Sequence, residues 1–196
     1  MKTALVLIAF TATAVSAQTP APQVSHDRAP TAVAARRNGS ISIDGKMDEA
    51  AWQAATPVTN FTQYDPHEGQ PASEKTEVRI LVDDDAVYVG MRLFDSQPNL
   101  IQSQLARRDE SIEGDLVELT FDSYHDHLSA VIFRLSAGGA RRDATISANG
   151  NSDNSWDAVW EGSASVDAQG WTAEFRIPLS QLRYARNAPD QVWGLQ

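Results

Sequence analysis

The chain has 196 residues, of which 42% are hydrophobic and 21% are charged, and it contains 5 Trp. This composition is typical of one packed globular domain and excludes wholesale disorder, collagen and a coiled coil. The 16 basic and 26 acidic residues give a net charge of −10, which repels a phosphate backbone and argues against nucleic acid as a partner. The absence of Cys excludes disulfides, thiolate zinc sites and a Cys nucleophile.

The amino terminus has the pattern of an export signal. Lys2 precedes an apolar run at residues 4–14, and the small residues Val15, Ser16 and Ala17 follow it. The run has 11 residues, too few to span a bilayer, so a cleaved signal peptide over residues 1–17 is favoured over a membrane anchor. Residues 18–38 are rich in Pro and Ala and are predicted to be a flexible linker. Export of a chain without Cys indicates a bacterial envelope protein.

From residue 39 onward, short β-like segments alternate with clusters of Gly, Asp and Asn, which is typical of an antiparallel β-sandwich. Residues 40–43 are predicted to be a strand, and residues 47–55 a short helix that ends before Pro57. Residues 58–63 are predicted to be the next strand. The expected fold is therefore all-β, a jelly-roll-like sandwich with one short helix near its amino terminus.

Two segments flank Asp83, Asp84 and Asp85, whose short polar side chains suit a turn, so residues 75–82 and 86–94 are predicted to form a hairpin. Further strands are predicted at residues 116–122, 129–136, 142–147, 158–166 and 170–177. Residues 179–183 have a weaker helical pattern. The last segment, 191–196, alternates like a buried strand and stops without a turn or cap, so we expect a truncated domain within a longer protein.

Four blocks of this chain, taken in order, resemble a family 9 carbohydrate-binding module. They occupy residues 43–52, 77–90, 115–122 and 170–178, and the resemblance covers residues 40–196. Shorter motifs at residues 107–109, 124–126, 142–143 and 154–161 resemble the subgroup that precedes a large outer-membrane β-barrel in Gram-negative bacteria.

The resemblance implies a β-sandwich without catalytic activity, which binds a glycan or sugar beside glycoside hydrolases such as xylanases, and bound calcium in some members. It also implies a location in the periplasm or outer membrane, with a downstream β-barrel as partner. The family clamps a terminal sugar between two Trp. Ile112 occupies one of these positions, and the other lies beyond Gln196, so neither clamp residue is carried over. The alternative is a structural or docking domain that packs on the barrel and binds no sugar.

Candidate ligand-binding residues must then be sought in the chain itself. Trp156 and Trp160 are four residues apart and share a face if the segment is a strand, and Trp156 lies beside a polar loop, where its ring could be exposed. The alternative is that both rings belong to the core. Tyr124, beside a loop, is a second candidate, and Tyr64 is a weaker one. Arg142 either pairs with an acidic neighbour or binds an acidic sugar.

Asn151, Asp153 and Asp157 alternate along one stretch and could offer oxygen ligands to calcium, with Ser155 between them. The stretch does not fit an EF-hand loop, and a solvated polar loop is the alternative. His125 and His127 lack an identifiable third ligand for zinc.

Glu118 and Glu174 are the candidates for a catalytic pair, because glycoside hydrolysis needs two carboxylates about 5–10 Å apart. Outward-facing Glu on a sandwich is more often solvated or paired with Arg. The chain also lacks a nucleophile elbow, a phosphate loop and a dinucleotide fingerprint. We therefore predict that the chain is not an enzyme.

Overall fold

The computed structural model describes residues 30–108, 114–185 and 190–196. The predicted signal peptide and most of the predicted linker lie outside these residues. The strands are β1 (Ala35–Arg36), β2 (Thr76–Val82), β3 (Ala86–Phe94), β4 (Leu116–Asp122), β5 (Ala130–Ser136), β6 (Arg141–Ile146), β7 (Ser152–Asp153), β8 (Glu161–Asp167), β9 (Gly170–Pro178) and β10 (Gly194–Leu195). Three short 3-10 turns occur at Ala50–Ala54, Pro98–Leu100 and Leu179–Gln181. Within the described residues, no helix has the length and apolar character needed to cross a bilayer.

The strands form two sheets. Sheet I has the order β1-β2-β3-β9-β8, and sheet II has the order β10-β4-β5-β6-β7. The strand pairs are antiparallel, apart from the parallel pair β1 and β2. The predicted all-β, antiparallel sandwich is therefore confirmed. The predicted hairpin is also present, since β2 and β3 pair from Thr76 with Leu93 to Val82 with Val87.

The core lies between the sheets and follows from the two-residue alternation of the strands. Val89 of β3 and Phe175 of β9 point inward from sheet I, and Leu119 of β4 and Phe133 of β5 belong to the same buried cluster from sheet II. The ring of Trp160 stacks on Phe175 with centroids 5.6 Å apart. Burial of these large apolar groups supplies the main stabilisation of the sandwich.

The outer face of sheet I is covered by the chain that precedes β2. A second buried cluster joins Trp52 and Ala55 of this segment to Leu81 and Tyr88 of the sheet. Gly90 makes this close approach feasible, because a Cβ there would lie 2.6 Å from Met47 Cε and 3.0 Å from the Trp52 ring. The part of sheet I around Leu81, Tyr88 and Gly90 is thus buried on both faces.

A buried carboxylate holds this covering segment in place. Glu174 of β9 is fully buried, and its Oε2 accepts hydrogen bonds from the backbone N–H groups of Asp44 at 3.1 Å and Gly45 at 2.6 Å. Its Oε1 accepts from the Met47 N–H at 3.2 Å and from Trp52 Nε1 at 3.1 Å. Burial raises the pKa of Glu174, against the opposing effect of these N–H donors.

Three segments differ from the sequence-based prediction. Residues 40–43 and 58–63 are not strands; the second makes only single bridges from Val58 to Val78 and from Thr62 to Pro71. The helix predicted at 47–55 is a single 3-10 turn, Ala50–Ala54. Met47 cannot begin it, because its backbone is in the left-handed region, with φ of 53°, and its N–H bonds Glu174.

The strand predicted at 158–166 begins later, at Glu161. The N–H groups of Ala158 and Val159 donate to the side chains of Asp143 and Gln181 instead of to a neighbouring strand. Of the segment predicted as a linker, Ala35 and Arg36 pair with Leu81 and Val82.

We expect Glu174→Gln to lower the free energy of unfolding by about 2–4 kcal/mol, because the amide NH2 would face N–H donors that the carboxylate now accepts. Urea denaturation followed by Trp fluorescence measures this. The control is Glu161→Gln, an exposed glutamate on β8 paired with Arg176, for which the expected loss is below about 1 kcal/mol. Equal losses for the two variants would contradict the role assigned to Glu174.

Candidate functional site

The outer face of sheet II carries a row of charged side chains. Alternation places Val117 and Leu135 in the core, and their neighbours Glu118 and Arg134 on the opposite face. Glu118 lies opposite Arg134 in the β4 and β5 pair, and Arg134 lies opposite Arg142 in the β5 and β6 pair. The three charges therefore form one row across three strands.

These three residues and Leu116 line a cleft of about 250 Å³, here called the arginine cleft. Leu116 is 38% exposed and gives the cleft an apolar surface. Arg134 donates from Nε to Glu118, and the Thr120 hydroxyl donates to the same carboxylate at 3.1 Å. The guanidinium of Arg134 is thus held in place by a neutralising partner.

Arg142 differs from Arg134 in its contacts. Its Nε is buried and has no hydrogen-bond partner among the described residues. A buried donor without an acceptor costs about 1–3 kcal/mol, and two cations directly opposite each other on a sheet repel. The cleft therefore combines an apolar wall, one paired cation and one guanidinium that lacks an acceptor at Nε.

The two Trp predicted to share an exposed face do not lie in the arginine cleft. Trp160 is only 4% exposed, stacks on Phe175 and donates from Nε1 to Asp143 Oδ2 at 2.9 Å. It is a core residue, and the proposed role as a sugar platform is wrong for this ring because no face is free. Trp156 is partly buried, with its centroid 5.9 Å from that of Phe133 in an edge contact.

Asp143 fixes the chain around these rings. This buried carboxylate accepts from the Ala158 N–H at 2.8 Å and from Arg108 Nη2 at 2.9 Å, in addition to Trp160. Arg108 also pairs with Asp157 at 2.5 Å. Asp143 is the acidic residue next to Arg142 in the sequence, but it does not pair with Arg142, because the alternation of β6 turns the two side chains to opposite faces.

Tyr124 lies at a different end of the sheet. It is 54% exposed and follows the carboxyl end of β4, whereas Arg142 lies beside the beginning of β4. Tyr64, the weaker candidate, is 87% exposed in the segment before β2. The candidate residues Trp156, Tyr124 and Arg142 thus occupy three separate places. The family's clamp position at Ile112 lies outside the described residues.

The residues predicted as calcium ligands make separate contacts. Asp153 Oδ1 accepts from the Ser155 hydroxyl at 2.6 Å and N–H at 2.9 Å, and these bonds lower the pKa of Asp153. Asp157 is paired with Arg108, and the Asn151 carbonyl accepts from the Ser147 N–H. In the parts of the chain that the structure describes, no three His, Cys, Asp or Glu side chains are grouped to hold a metal ion. Calcium binding by this stretch stays a prediction.

A second, wider groove of about 690 Å³ lies beside the turn between β2 and β3. Its lining includes Arg176, Tyr184 and Asp84. Arg176 Nη1 pairs with Glu161 Oε1 at 2.9 Å. The Tyr184 ring packs against the Trp193 ring, with their centroids 5.3 Å apart. Asp84 pairs with Arg36 at 2.5 Å. Each of these three groups already has a partner outside the groove lining, which makes the groove a weaker ligand site than the arginine cleft.

The two carboxylates weighed for catalysis are far apart. Glu118 lies on the outer face of sheet II, and Glu174 lies on the outer face of sheet I beneath the covering segment. Packed sheets are about 10 Å apart, and both groups point away from the shared core. Glu118 and Glu174 therefore do not form the close pair that glycoside hydrolysis requires.

The described residues form a β-sandwich with an open cleft on the outer face of one sheet. Residues 43–196 match the family described as Carbohydrate family 9 binding domain-like. The chain belongs to this family, which suggests a binding role without catalysis. No sequence among curated proteins matches the chain.

Solved structures share the fold at low sequence identity. A family 9 carbohydrate binding module from Caldicellulosiruptor kristjanssonii in complex with cellotriose superposes with a TM-score of 0.55 at 16% identity, over 83% of this chain and 73% of that one. The glucose complex of a family 9 module from the same organism gives 0.50 at 18% identity, over 82% and 75%. A Bacteroides uniformis protein provisionally described as carbohydrate-binding gives 0.60 at 12% identity, over 83% and 79%.

Trp160→Phe should lower the free energy of unfolding by about 2–3 kcal/mol, because buried Asp143 loses a donor and the core loses volume. Trp156→Phe is the matched control: its indole N–H has no comparable bond among the described residues, so the expected loss is below about 1 kcal/mol. Thermal and urea unfolding measure both. If Trp156→Phe proved the more damaging change, the core assignment of Trp160 would be wrong.

Proposed function

We propose that this chain is a non-catalytic carbohydrate-binding module of an exported bacterial protein and that it holds a glycan in the arginine cleft. Family membership supports the class of ligand, and related modules have been solved with cellotriose and glucose. The site is chosen because a cleft is open on the outer face of sheet II.

The chemistry of the cleft suits a sugar. Guanidinium and carboxylate groups bind hydroxyls, and Leu116 offers apolar contact to the C–H surface of a ring. Its volume of about 250 Å³ is slightly below the usual range for small-molecule pockets, about 300–1,000 Å³. The cleft is therefore large enough for one sugar residue at the end or branch of a glycan, and too small for a long buried chain.

The proposal extends to the cellular setting. The signal-peptide pattern of residues 1–17 supports export, and the motifs at residues 107–109 and 124–126 favour the subgroup found before outer-membrane barrels. In that setting the module would act in the periplasm or at the outer membrane, beside glycoside hydrolases in glycan breakdown. Calcium, where bound, would have a structural role outside the arginine cleft.

The full chain should bind at least one neutral or acidic glycan in an array screen, confirmed by calorimetry. Leu116→Glu should weaken that binding at least tenfold, because the new carboxylate would occupy the arginines of the cleft. Val159→Glu is the control, since Val159 is 74% exposed and does not line the cleft. Absence of binding to every glycan would refute sugar recognition, and equal binding by the two variants would refute the site.

Export is tested separately. When the full chain is produced in a Gram-negative host, the periplasmic fraction should contain a protein that begins at Gln18, as measured by intact mass. Ala17→Phe should block processing, because the cleavage site requires a small residue. Thr11→Val, within the apolar run, should leave processing intact. An unprocessed cytoplasmic product from the unaltered chain would contradict export.

A further inference from the structure

We infer that the sugar recognised by the arginine cleft carries a carboxylate, as uronic acids do, and that this carboxylate binds Arg142 together with Arg134. The inference rests on the proposed function and specifies its ligand. It starts from the charge of the row, in which two cations face a single anion, Glu118. The cleft therefore has one positive charge in excess.

Arg142 stands out when it is compared with other arginines of the sandwich. Six of them have a carboxylate within 3 Å: Arg36 with Asp84, Arg37 with Asp83, Arg92 with Asp167, Arg108 with Asp143, Arg134 with Glu118 and Arg176 with Glu161. Arg79 and Arg141 donate to backbone carbonyls instead. Arg142 has no carboxylate partner among the described residues, and its buried Nε has no acceptor. A bound anion in the cleft would supply a carboxylate partner for this guanidinium.

The position of Arg134 limits where that anion can sit. Its Nε is already committed to Glu118 on the β4 side, whereas β6 and Arg142 lie on the other side of β5. A guanidinium has five N–H donors in a planar fork, so Arg134 can hold Glu118 and still donate toward Arg142. The carboxylate is accordingly placed between the two arginines.

The same geometry favours a planar acid over a neutral sugar. Two arginines can bind both carboxylate oxygens, and charge-assisted hydrogen bonds of this kind are about twice as strong as neutral ones. A hydroxymethyl group at the same position leaves the excess positive charge of the cleft without a counter-charge. Glu118 would repel a second carboxylate, which restricts the cleft to one acidic group.

The test compares ligands that differ only in charge. D-glucuronate and D-galacturonate are titrated into the full chain by calorimetry, beside their methyl esters and the parent neutral sugars. We expect each acid to bind at least tenfold more tightly than its ester. Sodium acetate tests whether the carboxylate suffices without the sugar ring, and weak binding is expected because Leu116 then lacks a ring to contact.

Variants assign the effect to Arg142. Arg142→Gln should abolish the preference for acid over ester, and Arg142→Lys should retain part of it, since the charge stays but the planar fork is lost. Arg183→Gln, an exposed arginine with the same loss of charge, is the control and should keep the preference. Thermal melting confirms that each variant is folded, and Arg142→Gln should not lose stability because no native hydrogen bond of Nε is removed.

The outcomes separate this inference from the proposed function. Equal binding of acids and esters, both weakened by Leu116→Glu, would leave a sugar-binding cleft and overturn the preference for acids. A preference that survives in Arg142→Gln would overturn the assignment to Arg142. Failure of every sugar and glycan to bind would refute the proposed function as well. Acetate binding as tightly as the uronates would identify a general anion site and overturn the sugar-acid inference.

Discussion

The buried carboxylate of Glu174 fixes the segment that covers part of the outer face of sheet I. It accepts four hydrogen bonds from one segment of chain, three of them from backbone N–H groups between Asp44 and Met47. The Gly45 N–H is buried and has this carboxylate as its acceptor, so the segment and the carboxylate stabilise each other. The segment then buries the Trp52 ring against Leu81 and Tyr88 of sheet I and covers that part of the face.

The arginine cleft lies on the outer face of sheet II, which is exposed only in part. Ile132 and Ala144 lie on this face but are buried, at 4% and 2% exposure. The arginine cleft lies at the end where β4 begins, which carries Leu116 and the row of charges. Buried apolar residues beside an open, charged end of the sheet are a suitable arrangement for binding a polar ligand at that end.

The sequence was sufficient for features that depend on local pattern. Alternation predicted the faces of β4, and the Asp83 turn predicted the hairpin, because both are set by neighbouring residues. Features that depend on partners far apart in the sequence were missed. Met47 was predicted to be helical, because the Glu174 carboxylate that accepts its N–H is 127 residues away in the sequence. Likewise, Trp160 suggested a platform because its bond to Asp143 is not visible in the spacing. Arg142 was predicted as a candidate from the sequence. Its alignment with Arg134 and Glu118 was not predicted, because this alignment depends on how three strands pair.

A charged cleft selects sugars by a different rule from an aromatic clamp. Stacking on Trp uses the C–H face that many sugars share, whereas a pair of arginines requires an anion at one position. The chain as a whole carries a charge of −10, which repels anionic ligands at a distance and repels a polyanion most strongly. Short-range attraction at one excess positive charge can outweigh this field for a single carboxylate, but not for a chain of them. The combination of a small cleft and an acidic surface therefore favours one acidic residue at the end of an otherwise neutral glycan.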